Sequence, residues 1–173
     1  MLLCLASASP GRRKVLRGAG IDHNDLVSTI DEDKILESMS QASVSEKVLA
    51  LARAKATDVA ARGKTLVLGC DSMFFLDGQV LGKPHTEEVA RQRLRDMAGR
   101  TGTLYTGHWL ITPTLSLGGV SEAEVTVADM TDQEIEDYLA TGEPLNVAGS
   151  FTIDGFGGPF ITSITGDLSL IHI

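Results

Sequence analysis

Cysteine is nearly absent from this chain: among 173 residues only Cys4 and Cys70 occur. Each lies inside an apolar run, which argues against a disulfide framework or a cysteine-rich metal knuckle and predicts two buried, reduced thiols, as suits a cytoplasmic protein. Histidine is also sparse. His23, His85, His108 and His172 stand too far apart for the ligand spacing of a zinc site, so they read as structural or exposed side chains. Positive charge is in short supply as well, with 15 Lys and Arg against 23 Asp and Glu and a formal net charge of -8. That balance argues against general nucleic-acid or anionic-membrane binding, both of which need broad positive surface. Any anionic ligand must then be held by a local cluster, with a metal cation beside it. The apolar opening, residues 1–6, is too short for a signal peptide or a membrane span, and its positive charges follow it instead of preceding it. Several familiar signatures are missing too: there is no Walker P-loop, no Gly-x-Gly-x-x-Gly after a strand, no Gly-x-Ser-x-Gly elbow and no His-Glu-x-x-His.

What is present is an alternation of strand and helix signals with no repeats or low-complexity linkers, the mark of an α/β fold. With 43% hydrophobic residues, the chain can bury one sizeable core, and a single domain over residues 1–173 is expected. Residues 2–6 read as a buried strand. Ser9 suits an N-cap and Pro10 the first helical position, and Gly20 is placed to end that helix. A second strand is expected at residues 25–29, followed by a polar loop over residues 30–41 that is long enough to be functional. Ser43-Val44-Ser45-Glu46 is a capping box, with Val44, Val48, Leu51 and Val59 on one apolar face of the helix it opens. Residues 65–70 form a nearly continuous apolar run that stops at Asp71, as strands buried on both faces do. Asp77-Gly78 predicts a tight hairpin turn, and Thr86 caps a further helix ending at Gly99. Strands follow at residues 103–111 and 124–127. Thr131-Asp132-Gln133-Glu134 is a second capping box, with its helix ending at Gly142, and the glycine-rich chain from residue 148 suits strands joined by tight turns.

The chemistry gathers at a few points. In residues 5–14 a short strand meets a helix start, so free backbone N–H groups, the helix dipole, Arg12, Arg13 and Lys14 all favour an anion there. The same pattern also suits a solvated basic turn on an ordinary first helix. Arg12, Lys55 and Lys83 are candidate phosphate neutralisers; Asp71 and Glu32 are candidate acids. An acid at the carboxyl end of a buried strand faces the edge where ligands collect in open α/β sheets. The set suits metal-assisted phosphoryl chemistry.

The opening Ala6-Ser7-Ala8-Ser9-Pro10-x-Arg12 is one of several motifs in order. The others are Ile30-Asp31-Glu32, Leu51-Ala52-Arg53-Ala54-Lys55-Ala56, Gly69-Cys70-Asp71-Ser72, Leu81-Gly82-Lys83-Pro84, Thr106-Gly107, and Tyr138-x4-Gly142-Glu143-Pro144 through Ala148-Gly149-Ser150-Phe151. Together they resemble the Maf family of nucleotide pyrophosphatases over nearly the whole chain. The resemblance implies a mixed, twisted sheet flanked by helices, with two lobes and a central cleft, as in inosine-triphosphatase-like folds, and often a homodimer. It implies hydrolysis of nucleoside triphosphates to monophosphate and pyrophosphate with a divalent cation, magnesium or manganese, in removal of nucleotides unfit for nucleic acid. The alternative is a nucleotide-binding regulator of cell division with little turnover. In this context Asp71 would orient or deprotonate water or ligate the metal, with Glu32 as a second ligand. Ser7, Arg12, Lys55 and Lys83 would bind phosphate, and Ser72 and Asp154 would take part in base selection. The chain departs from the family pattern at Gly11, where many members carry an arginine, and at Asp71-Ser72 and Ile153-Asp154, which match neither the pyrimidine-triphosphate nor the 7-methylguanosine-triphosphate branch. Residues 166–173 also lack the family's usual asparagine-valine and glycine-leucine-proline ending.

Overall fold

The computed structural model describes residues 2–84, 86–151 and 153–167. The expected histidines His85 and His172 and most of the atypical ending lie outside those residues. In chain order the elements are β1 (Leu3–Ala6), α1 (Pro10–Gly18), β2 (His23–Asp25), α2 (Glu32–Ser38), α3 (Val44–Ala61), β3 (Val67–Leu76), β4 (Gln79–Leu81), α4 (Glu87–Met97), β5 (Thr101–Ile111), β6 (Ser116–Val127), α5 (Asp132–Ala140) and β7 (Ile161–Gly166). Short 3-10 turns at Glu143–Asn146, Ala148–Ser150 and Gly158–Phe160 precede β7. The fold is α/β, on a mixed sheet of seven strands in the order β2-β1-β3-β5-β6-β7, with β4 paired to β3. β1 runs parallel to β2 and β3, whereas β4 and β7 run antiparallel to β3 and β6.

The chain forms two compact units whose boundaries fall inside β3, β5 and β6. The first holds the residues up to Ser72 together with Thr106–Ser121. Its core lies between α3 and the strands: Val48, Leu51, Ala52, Ala56 and Val59 of α3 are buried with Cys4, Leu5, Ala6 and Val67. The helix can come close because two strand positions under it are glycine. A Cβ on Gly69 would overlap the Ala52 carbonyl, and one on Gly107 would overlap that of Val48. The Ser43–Glu46 capping box is fully formed, with Ser43 N donating to Glu46 Oε2 at 2.8 Å and Glu46 N to Ser43 Oγ at 3.3 Å. A cap of this kind contributes about 1 kcal/mol. In the second unit α4 and α5 bury Ala90, Leu94 and Met97 with Ile135, Tyr138 and Leu139, and Arg91 forks onto Glu136 at 2.5 and 3.0 Å. The Asp77-Gly78 hairpin is present, both residues taking positive φ (47° and 84°).

Five expectations need correction. β2 is His23–Asp25 instead of residues 25–29, because after Leu26 N donates to Leu5 O the chain leaves the sheet and Thr29 N turns to Asp58 Oδ2. The expected loop at residues 30–41 contains α2, capped by Asp31 Oδ1 accepting from Lys34 N at 3.0 Å, with Glu32 and Asp33 facing the positive end of its dipole. Its seven residues are too few to show a clear apolar period. β3 does not stop at Asp71 but runs to Leu76, and β6 starts at Ser116, well before residue 124. The stretch from residue 148 holds two short 3-10 turns and other turns before its one described strand, β7.

Candidate active site

In β1 and β3 the registered pairs are Cys4 with Val67, Leu5 with Leu68 and Ala6 with Gly69. β1 ends there, so Cys70, Asp71 and Ser72 project past the carboxyl end of their parallel neighbour, beside the turn that starts α1. This reconciles the mid-strand position of Asp71 with the ligand edge that its sequence context suggested. Neighbouring strand residues point to opposite faces. Asp71 shares the α3 face with Gly69; Ser72 shares the other with Cys70.

On the α1 side, Arg12 ties the turn to β3. Its Nη1 donates to Ser7 Oγ at 2.9 Å and to the Cys70 carbonyl at 3.0 Å, and its Nη2 donates to Ser72 Oγ at 2.9 Å. Ser7 Oγ also accepts from Ser9 N, while Ser72 and Thr106 exchange a hydroxyl bond at 2.9 Å. Arg12 Nε is buried without a hydrogen-bond partner among the described residues, a spare donor of the kind an anionic oxygen satisfies. The neighbouring Arg13 is committed elsewhere, with an ion pair to Asp25 at 3.2 Å and a bond to the Ala8 carbonyl.

On the α3 side, the Lys55 ammonium joins two carboxylates, Asp71 Oδ1 at 2.6 Å and Glu32 Oε1 at 3.0 Å. α2, missing from the sequence reading, is what delivers Glu32. Asp71 is 8% exposed, and burial pushes its carboxyl above the ordinary 3.8; Lys55 and Arg12 pull the other way without cancelling that rise, and Glu32 adds to it. Under Ser72, Cys70 is a free, buried thiol pushed up by burial, with Sγ 3.6 Å from His108 Nδ1. Both cysteines are unpaired, as expected.

Ser7, Arg12 and Ser72 are thus joined in one network, and Glu32, Lys55 and Asp71 in another. Lys83 and Asp154 belong to the second unit, where both are exposed. The Lys83 turn is held on both sides, by Arg93 Nη1 donating to the Gly82 carbonyl and by the buried Pro84. Thr106 and the Glu143 carboxylate are structural partners to which the sequence reading gave no role, although Thr106-Gly107 and Gly142-Glu143-Pro144 were visible as motifs. Among the described residues no three His, Cys, Asp or Glu side chains converge on a metal position. No helix there is long and apolar enough to cross a membrane.

Residues 2–172 match the family described as Maf-like protein. The chain is 47% identical to a nucleoside triphosphate pyrophosphatase of Nocardia farcinica, with 98% of this chain and 85% of that protein covered. It is 46% identical to the enzyme of the same name from Mycobacterium ulcerans, at 98% and 85% coverage, and 48% identical to that of Streptomyces avermitilis, at 95% and 81%.

Proposed function

The chain belongs to the Maf-like family, and from that premise we propose that it hydrolyses nucleoside triphosphates between the α and β phosphates, releasing the monophosphate and pyrophosphate. The observation that carries this reading is the Lys55 ammonium bridging Asp71 and Glu32 at 2.6 and 3.0 Å, on the same stretch of β3 that Arg12 grips. Two carboxylates beside phosphate-binding cations are what a magnesium- or manganese-nucleotide requires, since such ions take one or two carboxylates and fill the remaining positions with water and phosphate oxygens. Asp71 and Glu32 fit that donor set, and a cation held there would neutralise phosphate charge.

In the reaction a water oxygen bonds to the α-phosphorus while the bond from that phosphorus to the bridging oxygen breaks, and pyrophosphate leaves with the electron pair. Asp71 orients the water and takes its proton, as the carboxylate held beside the cations proposed to bind phosphate. Lys55 holds Asp71 in place and offers its remaining N–H groups to phosphate oxygens. Arg12 supplies the fork for a second phosphate, with Ser7 and Lys83 as further phosphate contacts and Ser72 and Asp154 on the base side. The proposed role is removal of non-standard or excess nucleotides. The test is a panel of common and modified nucleoside triphosphates with magnesium or manganese, resolving the phosphate products. Monophosphate plus pyrophosphate is the expected pair; orthophosphate plus nucleoside diphosphate overturns the assignment, and binding without turnover moves it to a nucleotide-binding regulator.

A further inference from the structure

Arg13 follows Arg12 on α1, but its guanidinium is directed at the turn that precedes the helix. Nη2 donates to the Ala8 carbonyl at 2.6 Å, and Nε pairs with Asp25 Oδ2 at 3.2 Å. Asp25 is the last registered residue of β2, opposite Leu5 of β1, so the sheet fixes its carboxylate beside the end of β1. The Ala8 carbonyl belongs to the same peptide as Ser9 N, which donates to Ser7 Oγ at 3.2 Å. That peptide is trans, so its N–H and its carbonyl point in opposite directions, and these two bonds hold it at both ends. Ser7, only 7% exposed, presents the same oxygen to Arg12 Nη1 at 2.9 Å. A continuous chain thus runs from Asp25 through Arg13, the Ala8–Ser9 peptide and Ser7 to Arg12, entirely within the first unit.

The orientation of that peptide matters to an anion. Turned over, it would set the Ala8 carbonyl oxygen, with its partial negative charge, on the side of Ser7 Oγ, and Ser7 would lose one of its two donors. A carbonyl so placed would compete with phosphate for Arg12 and repel it. Building on the proposed phosphate contact of Arg12, we propose that Arg13 is a positioning residue: anchored by Asp25, it keeps the Ala8 carbonyl turned away from the anion and so holds Ser7 and Arg12 in place without touching the substrate.

Inorganic pyrophosphate with magnesium is the probe, since calorimetry reads its binding without turnover. Arg13→Met should weaken that binding ~2- to 12-fold, the equivalent of one ordinary hydrogen bond, and raise the nucleotide KM by a like factor with kcat near that of the parent. Arg13→Lys should recover part of the loss. Asp25→Ala separates placement from charge by the sign of its effect. Removing an acid near an anion site tightens binding if only the field matters, whereas an unanchored Arg13 should weaken it. In the Arg12→Ala background Arg13→Met should change little further, because Arg13 acts through Arg12. Parent-like affinity in Arg13→Met, even with a lowered melting temperature, overturns the positioning role, and so does tighter binding in Asp25→Ala. Losses that add in full to those of Arg12→Ala also overturn it, by making Arg13 a direct ligand. Pyrophosphate binding without nucleotide cleavage would overturn the proposed hydrolysis and leave this role standing; a parent that binds no pyrophosphate would overturn the anion site and the role of Arg13 with it.

Discussion

The Arg12–Asp71 region and the Glu143 loop use charge in opposite ways. In the first, the groups proposed for chemistry hold one another: Lys55 is shared by Asp71 and Glu32, and Arg12 is bound to Ser7, Ser72 and the Cys70 carbonyl. In the second, the charged group is a brace: the Glu143 carboxylate accepts from Phe156 N and Gly157 N, and the exposed Asp154, proposed for the base side, stands on the same loop. Substitution in the first region should therefore alter reactivity and folding together, because its side chains are both ligands and structural partners. In the second the two effects should separate.

The largest effect is expected for Asp71→Asn. Asparagine keeps the volume and leaves Lys55 paired with Glu32, but it cannot accept the water proton and is a poor ligand for a hard cation. Single-turnover release of pyrophosphate should fall by at least ~10²–10⁴-fold, while calorimetry still detects nucleotide binding. Near-parent turnover would remove Asp71 from the mechanism.

Arg12→Ala and Lys83→Ala set a cation bound into the first region against an exposed one in the turn after β4. Both should lower subsaturating turnover by roughly 10- to 150-fold, the equivalent of one charge-assisted contact. Their stabilities should part: Arg12→Ala breaks three side-chain hydrogen bonds of a half-buried fork and should cost about 1–3 kcal/mol in urea unfolding, whereas Lys83→Ala should stay within about 0.5 kcal/mol. Matching stability losses would erase the contrast.

Asp154→Asn should be milder and selective. An amide can donate as well as accept, so the ranking of nucleotides by kcat/KM should change while the melting temperature does not. A uniform fall across the panel would make Asp154 a turn residue.

The smallest effect is on the pH dependence of stability. Burial raises the Asp71 carboxyl above 3.8, so the folded chain binds this proton more tightly than the unfolded one. Its contribution is then fullest below 3.8 and is lost as pH rises through the folded value, and that share of the slope should vanish in Asp71→Asn. Urea unfolding across that range, parent against variant, measures it; identical slopes would show that Asp71 is not elevated.

The sequence by itself determined what depends on neighbours along the chain. Ser9, the Ser43–Glu46 and Thr131–Glu134 boxes, Thr86 and the Asp77-Gly78 turn were all legible, since each closes its bonds within a few residues. So were the types of the candidate site residues, because cations after a helix cap and an acid after an apolar run carry their chemistry with them. α2 escaped, as its one clear signal was a cap and two acids over a helix too short for periodicity. Only the tertiary structure decided which charges meet. Lys55 and Asp71 are 16 positions apart and Arg12 and Ser72 are 60 apart, and these pairs exist because Gly69 lets α3 settle on β3 and because β1 ends opposite Gly69, short of Asp71. Likewise nothing near Glu143 in the chain says that its carboxylate will brace Phe156 and Gly157; that choice follows from a buried Tyr138 and two glycines whose missing side chains make the space. Local bonding is written in short spacings, whereas the partner of a charged side chain is set by which backbones can pack closely enough to bring it there.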